Sequence, residues 1–310
     1  MPPTYKSAYK ECDAFPYGGR IVCGTSGLGG VWGEIDPDES IRAILYALNN
    51  GVRAFDTAPS YANAETYLGM ALKEWNGEKP FVSTKVGRQR GENAFDFKLD
   101  YSSEALEKSL HQSLKQLGLQ QIDLLFLHEP QLVPINEMDR IINCLQGFKA
   151  QKLVNYIGIG GNPTDEIMPF IQKKNFDVVS GFLKLDACNL TALDRDIPKL
   201  KEEGVAYYAA SSLHFSLLGN RLENYISDGA DGTWITQRDI ENAVKVKSLA
   251  EENNLSLSTM AQRYLFSIAE ADRVVVGARN EKQMADTLQD WNDGVLPENL
   301  FNKITEIIIA

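Results

Sequence analysis

An eight-stranded parallel α/β barrel is the fold class this sequence predicts, and three observations lead to it. Short apolar runs alternate with amphipathic stretches of helical period along the chain, and the count of such units reaches eight. No linker or shift in composition divides the 310 residues, so a single barrel domain over 1–310 is expected rather than two smaller ones. Asp56, Lys85 and His128 each stand at the end of an apolar run, the position at which barrels of this kind collect reactive side chains.

The elements follow in order. Ile21-Val22-Cys23 reads as the first strand; a glycine-rich loop comes next, and Asp36-Pro37-Asp38-Glu39 supplies a cap, a proline at the first helical position and a glutamate three residues after the cap. That helix runs through Ile41, Ile44, Leu45 and Leu48 until Gly51 stops it. Arg53 to Asp56 precedes a helix over Glu65 to Trp75, and Phe81 to Lys85 precedes one over Ser103 to Leu117 ended by Gly118. Ile122 to Leu127 is paired with Ile135 to Gln151. Tyr156 to Ile159, Val178 to Phe182, Val205 to Ala210 and Arg273 to Val276 complete the strands, each expected to be trailed by a helix. The widest interval, Ala210 to Arg273, holds a loop from Asn220 to Trp234 and an extra helix near Asp239 to Asn253, an insertion placed to cover a site. A last helix, Glu298 to Ile309, is expected outside the barrel or across its floor.

Composition excludes several functions. With 44% hydrophobic and 24% charged residues the chain buries a large core, yet it has no apolar run long enough to span a bilayer. Its start, Met-Pro-Pro-Thr-Tyr-Lys, lacks the apolar stretch of a secretory leader, so a cytoplasmic location is expected. The net charge is −11, from 42 acidic and 31 basic residues, without a Lys/Arg stripe, which disfavours nucleic acid and anionic membrane. Cys12, Cys23, Cys144 and Cys188 and the histidines 111, 128 and 214 have the spacing of neither a disulfide framework nor a zinc site; the cysteines read as small buried hydrophobes and no metal is expected.

Asp56, Tyr61, Lys85 and His128 together suit proton transfer to an oxygen. A free phenol is a poor base at neutral pH; a nearby ammonium stabilises its phenolate, and Lys85 is the candidate, with Asp56 paired to it. His128 beside the phenol could hydrogen-bond a substrate oxygen. Such a set protonates an oxygen as a carbonyl is reduced, or takes the proton as an alcohol is oxidised. No nucleophile stands beside a base, so a hydride cofactor fits. Taken singly each residue has a plainer role: Asp56 a turn cap, Tyr61 loop packing, Lys85 a surface cation, His128 a satisfied core histidine. Their shared placement at consecutive strand ends argues for the joint role.

Longer motifs carry a resemblance. The stretch Phe55-Asp56-Thr57-Ala58-Pro59-Ser60-Tyr61 with Glu65-Thr66-Tyr67-Leu68-Gly69, then Ser83-Thr84-Lys85-Val86-Gly87, the run Ser109 to Gly118 leading into Ile122 to His128, and Val274-Val275-Val276-Gly277-Ala278-Arg279-Asn280 resemble the aldo-keto reductases, in that family's order. The resemblance implies a (β/α)₈ oxidoreductase with Asp56, Tyr61, Lys85 and His128 as its tetrad. Tyr61 is then the general acid/base, Lys85 depresses its pKa, Asp56 holds Lys85, and His128 orients the carbonyl.

No dinucleotide or P-loop glycine fingerprint occurs, since Gly24-Thr25-Ser26-Gly27-Leu28-Gly29-Gly30 has the wrong spacing. Carried over position by position, the resemblance implies cofactor contacts at Gly24, Thr25, Ser211, Leu213, Gly277, Arg279 and Gln283, with Asp286 and Thr287 nearer the adenine. A guanidinium at Arg279 suits a 2′-phosphate, which favours NADP, with NAD the alternative; Arg279 is equally placed to be a solvated charge at a helix start. Gly160-Gly161-Asn162-Pro163, Phe182 and Ala210 depart from the family's nicotinamide pocket. The Gly-Ile-x-Gly-x-Pro and Ala-Ser-x-Leu forms and the opening Gly24 to Gly33 look similar to the branch containing L-galactose, L-fucose and D-threo-aldose 1-dehydrogenases, so a sugar or another small carbonyl compound is the expected substrate. Trp32 could stack on a sugar face or merely cover the barrel mouth, and His214 and Phe215 are expected to line the same pocket. The rival expectation is a cofactor-sensing regulatory subunit with little turnover, like the potassium-channel β subunits that resemble this family.

Overall fold

The computed structural model describes residues 1–11, 19–91 and 97–310. Its elements are β1 (Ile21–Gly24), α1 (Pro37–Asn49), β2 (Ala54–Asp56), α2 (Ala64–Glu74), β3 (Phe81–Val86), β4 (Arg88–Arg90), β5 (Phe97–Leu99), α3 (Ser103–Leu117), β6 (Ile122–His128), α4 (Met138–Ala150) and β7 (Val154–Gly160). There follow β8 (Val178–Phe182), α5 (Asp196–Glu202), β9 (Ala206–Ala210), α6 (Leu222–Asp228), α7 (Gln237–Glu252), α8 (Leu257–Phe266), β10 (Arg273–Gly277), α9 (Glu281–Asp293) and α10 (Glu298–Ile309). Eight strands close a parallel barrel in the order β1-β10-β9-β8-β7-β6-β3-β2, while β4 and β5 form a separate antiparallel hairpin.

Local chemistry explains the boundaries. Asp36 caps α1 through the amide of Asp38 with Pro37 behind it, and Ser102 caps α3 through the amide of Ala105. Gly118 ends α3 at φ 67°, a left-handed conformation that a residue without Cβ enters at least cost. The barrel strands are buried nearly throughout, because helices cover the sheet outside and side chains fill it inside. Val22, Ala54, Phe81, Leu124, Phe126, Val178, Tyr208 and Val275 form that inner cluster. The outer, larger core joins the sheet to the helices, and α10 lies on this outer shell, where Phe301 packs on Tyr5 and Tyr264 with ring centroids 5.3 and 5.0 Å apart.

Two expectations are corrected. The segment after β7 carries no α-helix, only a short 3₁₀ turn at Met168–Phe170, because Pro163 and Pro169 each remove an amide donor from a segment too short to spare them. The interval after β9 contains three helices rather than one, with α6 inside the stretch read as loop and α8 following α7. Cys23 and Cys188 are buried and Cys144 half-buried, all unpaired, whereas Cys12 lies outside the described residues. Among the described residues no helix is long and apolar enough to cross a membrane.

Candidate active site

Parallel register brings the four reactive residues to one end of the barrel. Asp56 ends β2 and is the register partner of Ser83; Lys85, two residues on in β3, is the partner of Phe126 in β6; His128 ends β6. Alternation along β3 puts Ser83 and Lys85 on the same face as Asp56. Ser83 Oγ donates to Asp56 Oδ1 at 2.8 Å, and Lys85 Nζ donates to Asp56 Oδ2 at 2.6 Å and to the Thr57 carbonyl at 2.8 Å. The ammonium also lies 4.7 Å from the Tyr61 ring centroid, and the Tyr61 and His128 rings meet edge to face at 6.0 Å. Asp56, Lys85 and His128 are buried and Tyr61 is half-buried.

The electrostatics divide into three protonation states. Burial disfavours the Lys85 ammonium, but Asp56, and then Tyr61, more than restore it, so its pKa is raised and the side chain stays a cation. Burial, then the charges of Lys85 and Arg88, hold the His128 imidazole well below its ordinary 6.5, so it is neutral at pH 7; its Nδ1 is buried and has no hydrogen-bond partner among the described residues. Burial likewise raises the Tyr61 phenol above its ordinary 10.0, and the Lys85 charge and hydrogen bond pull it back only in part. The expectation that Lys85 makes this phenol more acidic than a free one therefore holds as a direction for Lys85 and not for the net result. A neutral phenol beside a fixed cation is a proton donor at neutral pH.

Other residues fix the four. Thr25 is wholly buried, and its amide and hydroxyl both donate to the Asp56 carbonyl, at 2.9 and 3.0 Å, so its side chain is spent on the sheet. The Tyr101 hydroxyl donates to the carbonyls of His128 at 3.0 Å and Glu129 at 3.2 Å, and its ring lies where a Cβ on Gly87 would stand 2.3 Å away. A Cβ on Gly29 would stand 2.1 Å from the Tyr61 carbonyl, and one on Gly27 2.4 Å from that of Ala278. The glycines of the first loop thus serve close backbone packing between the Tyr61 loop and the start of α9.

At that start, Gly277 is exposed with nothing within 4 Å of where its Cβ would be, and Arg279 and Gln283 are exposed, the amide of Arg279 donating to Gln283 Oε1 at 2.9 Å. Asp286 is exposed and paired with Lys282, whereas Thr287 is buried on the inner face of α9. Ser211 and Leu213 are half-buried in the turn after β9, and Gly24 is buried against Val275 and Val276. Room above Gly277 beside a helix N-terminus, with an exposed guanidinium, suits a dinucleotide's phosphates. Asn162 does not offer its amide to a ligand: both ends hold the backbone of Phe182, at 3.1 and 3.0 Å.

Four aromatic rings stand at the barrel mouth. Phe215 lies 6.0 Å from Trp32 and 6.3 Å from Phe182 and Trp234, and Phe182 lies 5.4 Å from Trp234, centroid to centroid. Trp32 and Phe215 thus lie together here, and Trp234, seen in the sequence only as the end of a covering loop, joins them. His214 is corrected: it has no exposed surface, with Nδ1 2.6 Å from Asp186 Oδ2, so it does not line the mouth. Asp186, Cys188 and His214 gather there with their ligand-type atoms within 4.8 Å of one another, a grouping that sequence spacing does not reveal.

Comparison with known proteins agrees with this architecture. A family model described as "Aldo/keto reductase family" matches residues 20–309. The chain is 27% identical over 277 residues to L-galactose dehydrogenase of Arabidopsis thaliana, covering 86% of this chain and 82% of that one. It is 26% identical over 300 residues to NADH-specific methylglyoxal reductase of Escherichia coli (strain K12), covering 88% and 90%. The solved glycerol dehydrogenase of Gluconobacter oxydans superposes with a TM-score of 0.78 at 22% identity, over 97% of this chain and 95% of that one, and shares its fold.

Proposed function

The chain belongs to the aldo/keto reductase family and is an NAD(P)-dependent oxidoreductase, and we propose that Tyr61 is the general acid and base with which it interconverts a carbonyl and an alcohol. The observation that carries this reading is the position of the Lys85 ammonium, ion-paired to Asp56 at 2.6 Å and facing the Tyr61 ring at 4.7 Å. In reduction the neutral phenol gives its proton to the carbonyl oxygen, and Lys85 stabilises the phenolate left behind. In oxidation the phenolate takes the alcohol proton. His128, neutral and edge-on to Tyr61, hydrogen-bonds the same oxygen and orients it. A bound nicotinamide supplies or accepts the hydride. Ser211, Leu213, Gly277, Arg279 and Gln283 would hold the cofactor, with Asp286 toward the adenine, whereas Gly24, Thr25 and Thr287, also expected as contacts, are buried and offer it little surface.

NADP is the preferred cofactor on the exposed guanidinium of Arg279, although a relative is named NADH-specific. The substrate we favour is an aldose. Support comes from the aromatic mouth, on which the C–H face of a sugar can stack, and from the likeness to L-galactose dehydrogenase. Aldoses and simple aldehydes tested with NADP(H) and NAD(H) in both directions, followed by cofactor absorbance, should reveal turnover that Tyr61→Phe reduces by about 10²-fold or more. Full activity in that variant would overturn the assignment.

A further inference from the structure

Three segments meet at the buried imidazole of His214. Asp186 lies in the loop after β8, His214 in the turn after β9, and Asp239 in the first turn of α7. His214 Nδ1 is 2.6 Å from Asp186 Oδ2, a hydrogen bond, and Nε2 is 3.7 Å from Asp239 Oδ2, an ion-pair distance. Each carboxylate is itself tied down. Asp186 Oδ1 accepts from the amides of Cys188 at 2.9 Å and Asn189 at 3.0 Å, while Asp239 Oδ2 accepts from the amide and hydroxyl of Thr236 at 2.9 and 2.6 Å. Burial alone would strip the ring of its proton, but Asp186 and Asp239 outweigh it and push the pKa up to about 10, so the ring is an imidazolium at neutral pH.

Each of the same three segments carries one ring of the mouth. Phe182 ends β8, Phe215 directly follows His214, and Trp234 stands two residues before the Thr236 cap of α7. The middle segment has an unfavourable backbone: His214, Phe215 and Ser216 have φ of 49°, 51° and 67°, three successive side-chain-bearing residues in the left-handed region. Such a run persists only where its surroundings enforce it. Backbone bonds within the turn include His214 to Ser211 at 2.8 Å and Leu217 to His214 at 3.0 Å; two side chains anchor it, the Tyr225 hydroxyl donating to the Phe215 carbonyl at a long 3.5 Å and the buried His214 ring bonding Asp186 at 2.6 Å.

We propose that His214 is a positioning residue for substrate: bracketed by Asp186 and Asp239, it keeps residues 214–216 in their left-handed turn and so fixes Phe215 among Trp32, Phe182 and Trp234, as a wall for the part of the substrate that does not react. The proposal rests on the reading of this mouth as the substrate side of the site. It assigns His214 no contact with substrate or cofactor.

The test uses the full chain, His214→Gln, Phe215→Ala and their double variant, with the aldose or aldehyde that the parent turns over best. His214→Gln should raise KM about tenfold with kcat within about twofold, and in the Phe215→Ala background it should add little, because the two act through one wall. An unchanged KM, fully additive effects, or a loss confined to kcat would overturn the proposal. So would one zinc per chain in elemental analysis of the purified protein, since an ion among Asp186, Cys188 and His214 would replace the bond on which the argument turns. Should His214→Gln fail to fold, Asp186→Asn keeps the side chain's shape while removing the charge, and carries the same expectation. Calorimetry of the nucleotide-loaded protein with the same sugar reads the wall without turnover. A parent that binds and does not turn over refutes the Tyr61 chemistry alone, whereas His214→Gln binding like the parent refutes the role of His214.

Discussion

The Lys85 ammonium faces the ring of Tyr61 at 4.7 Å from its centroid, and burial nevertheless keeps that phenol above its ordinary pKa. A proton on Tyr61 at physiological pH favours its acid role, so reduction should vary little between about pH 6 and 9 while oxidation speeds up with rising pH. Lys85→Met removes the charge that lowers the phenol's pKa and should move the rise in oxidation to higher pH. An unmoved profile would separate Lys85 from the chemistry. The same substitution leaves the buried Asp56 carboxylate without its counter-charge, a loss of about 3–5 kcal/mol in denaturant unfolding that Asp56→Asn added to Lys85→Met should partly recover.

Gly29→Ala should damage the site without touching a reactive group. Its Cβ would meet the backbone carbonyl of Tyr61 at 2.1 Å, and a carbonyl cannot rotate aside as a side chain can. We expect about 1–3 kcal/mol of destabilisation and a fall in kcat as Tyr61 shifts. Gly118→Ala, which meets nothing within 4 Å, is the control: it strains only the helix cap and should leave kcat unchanged.

Arg279→Ala should weaken NADPH more than NADH in fluorescence titration, by about tenfold or more if its guanidinium grips the 2′-phosphate. Equal losses for the two nucleotides would remove Arg279 from that role.

Stability should fall as pH rises above 6.5. The folded pKa of His214 is raised from 6.5 to about 10, so its bound proton stabilises the fold fully below pH 6.5, and that contribution is lost as pH climbs toward 10. Below pH 6.5 two effects oppose each other: the lowered folded pKa of His128 costs stability as pH falls, whereas Asp290, raised by burial to about 6, adds to it. Thermal unfolding between pH 6.5 and 9.5 should show this fall, and His214→Gln should flatten it. A parent curve that keeps rising from pH 6.5 to 9 would contradict the protonated His214.

The barrel was legible because its strands carry their signal locally. Ile122 to Leu127 and Val178 to Phe182 are mostly apolar and almost wholly buried, and the cap at Asp36 and the stop at Gly118 act within one turn of sequence. The tetrad was legible for a related reason, since strand ends in a parallel barrel all arrive at one rim. Less legible was whatever depends on residues far apart in the chain. Asp186 and Asp239 give no hint in the sequence that they bracket His214, and a lone histidine after a strand reads as pocket lining until its burial is known. The balance between burial and Lys85 at Tyr61 is likewise a matter of depth, which sequence order does not encode. The absent helix after β7 differs in kind: Pro163 and Pro169 act locally, and they break the repeat that the other units keep.

Barrel closure pairs β1 with β10, Ile21 beside Val274 and Gly24 beside Gly277, so the first and last staves of the cylinder come from opposite ends of the message. A nascent chain can lay down the intervening strands one by one as it leaves the ribosome, yet the ring stays open until Arg273 to Gly277 emerges. A premature stop upstream of that point would therefore release a polypeptide with two raw sheet edges, inviting aggregation and quality-control degradation, and not a slower catalyst.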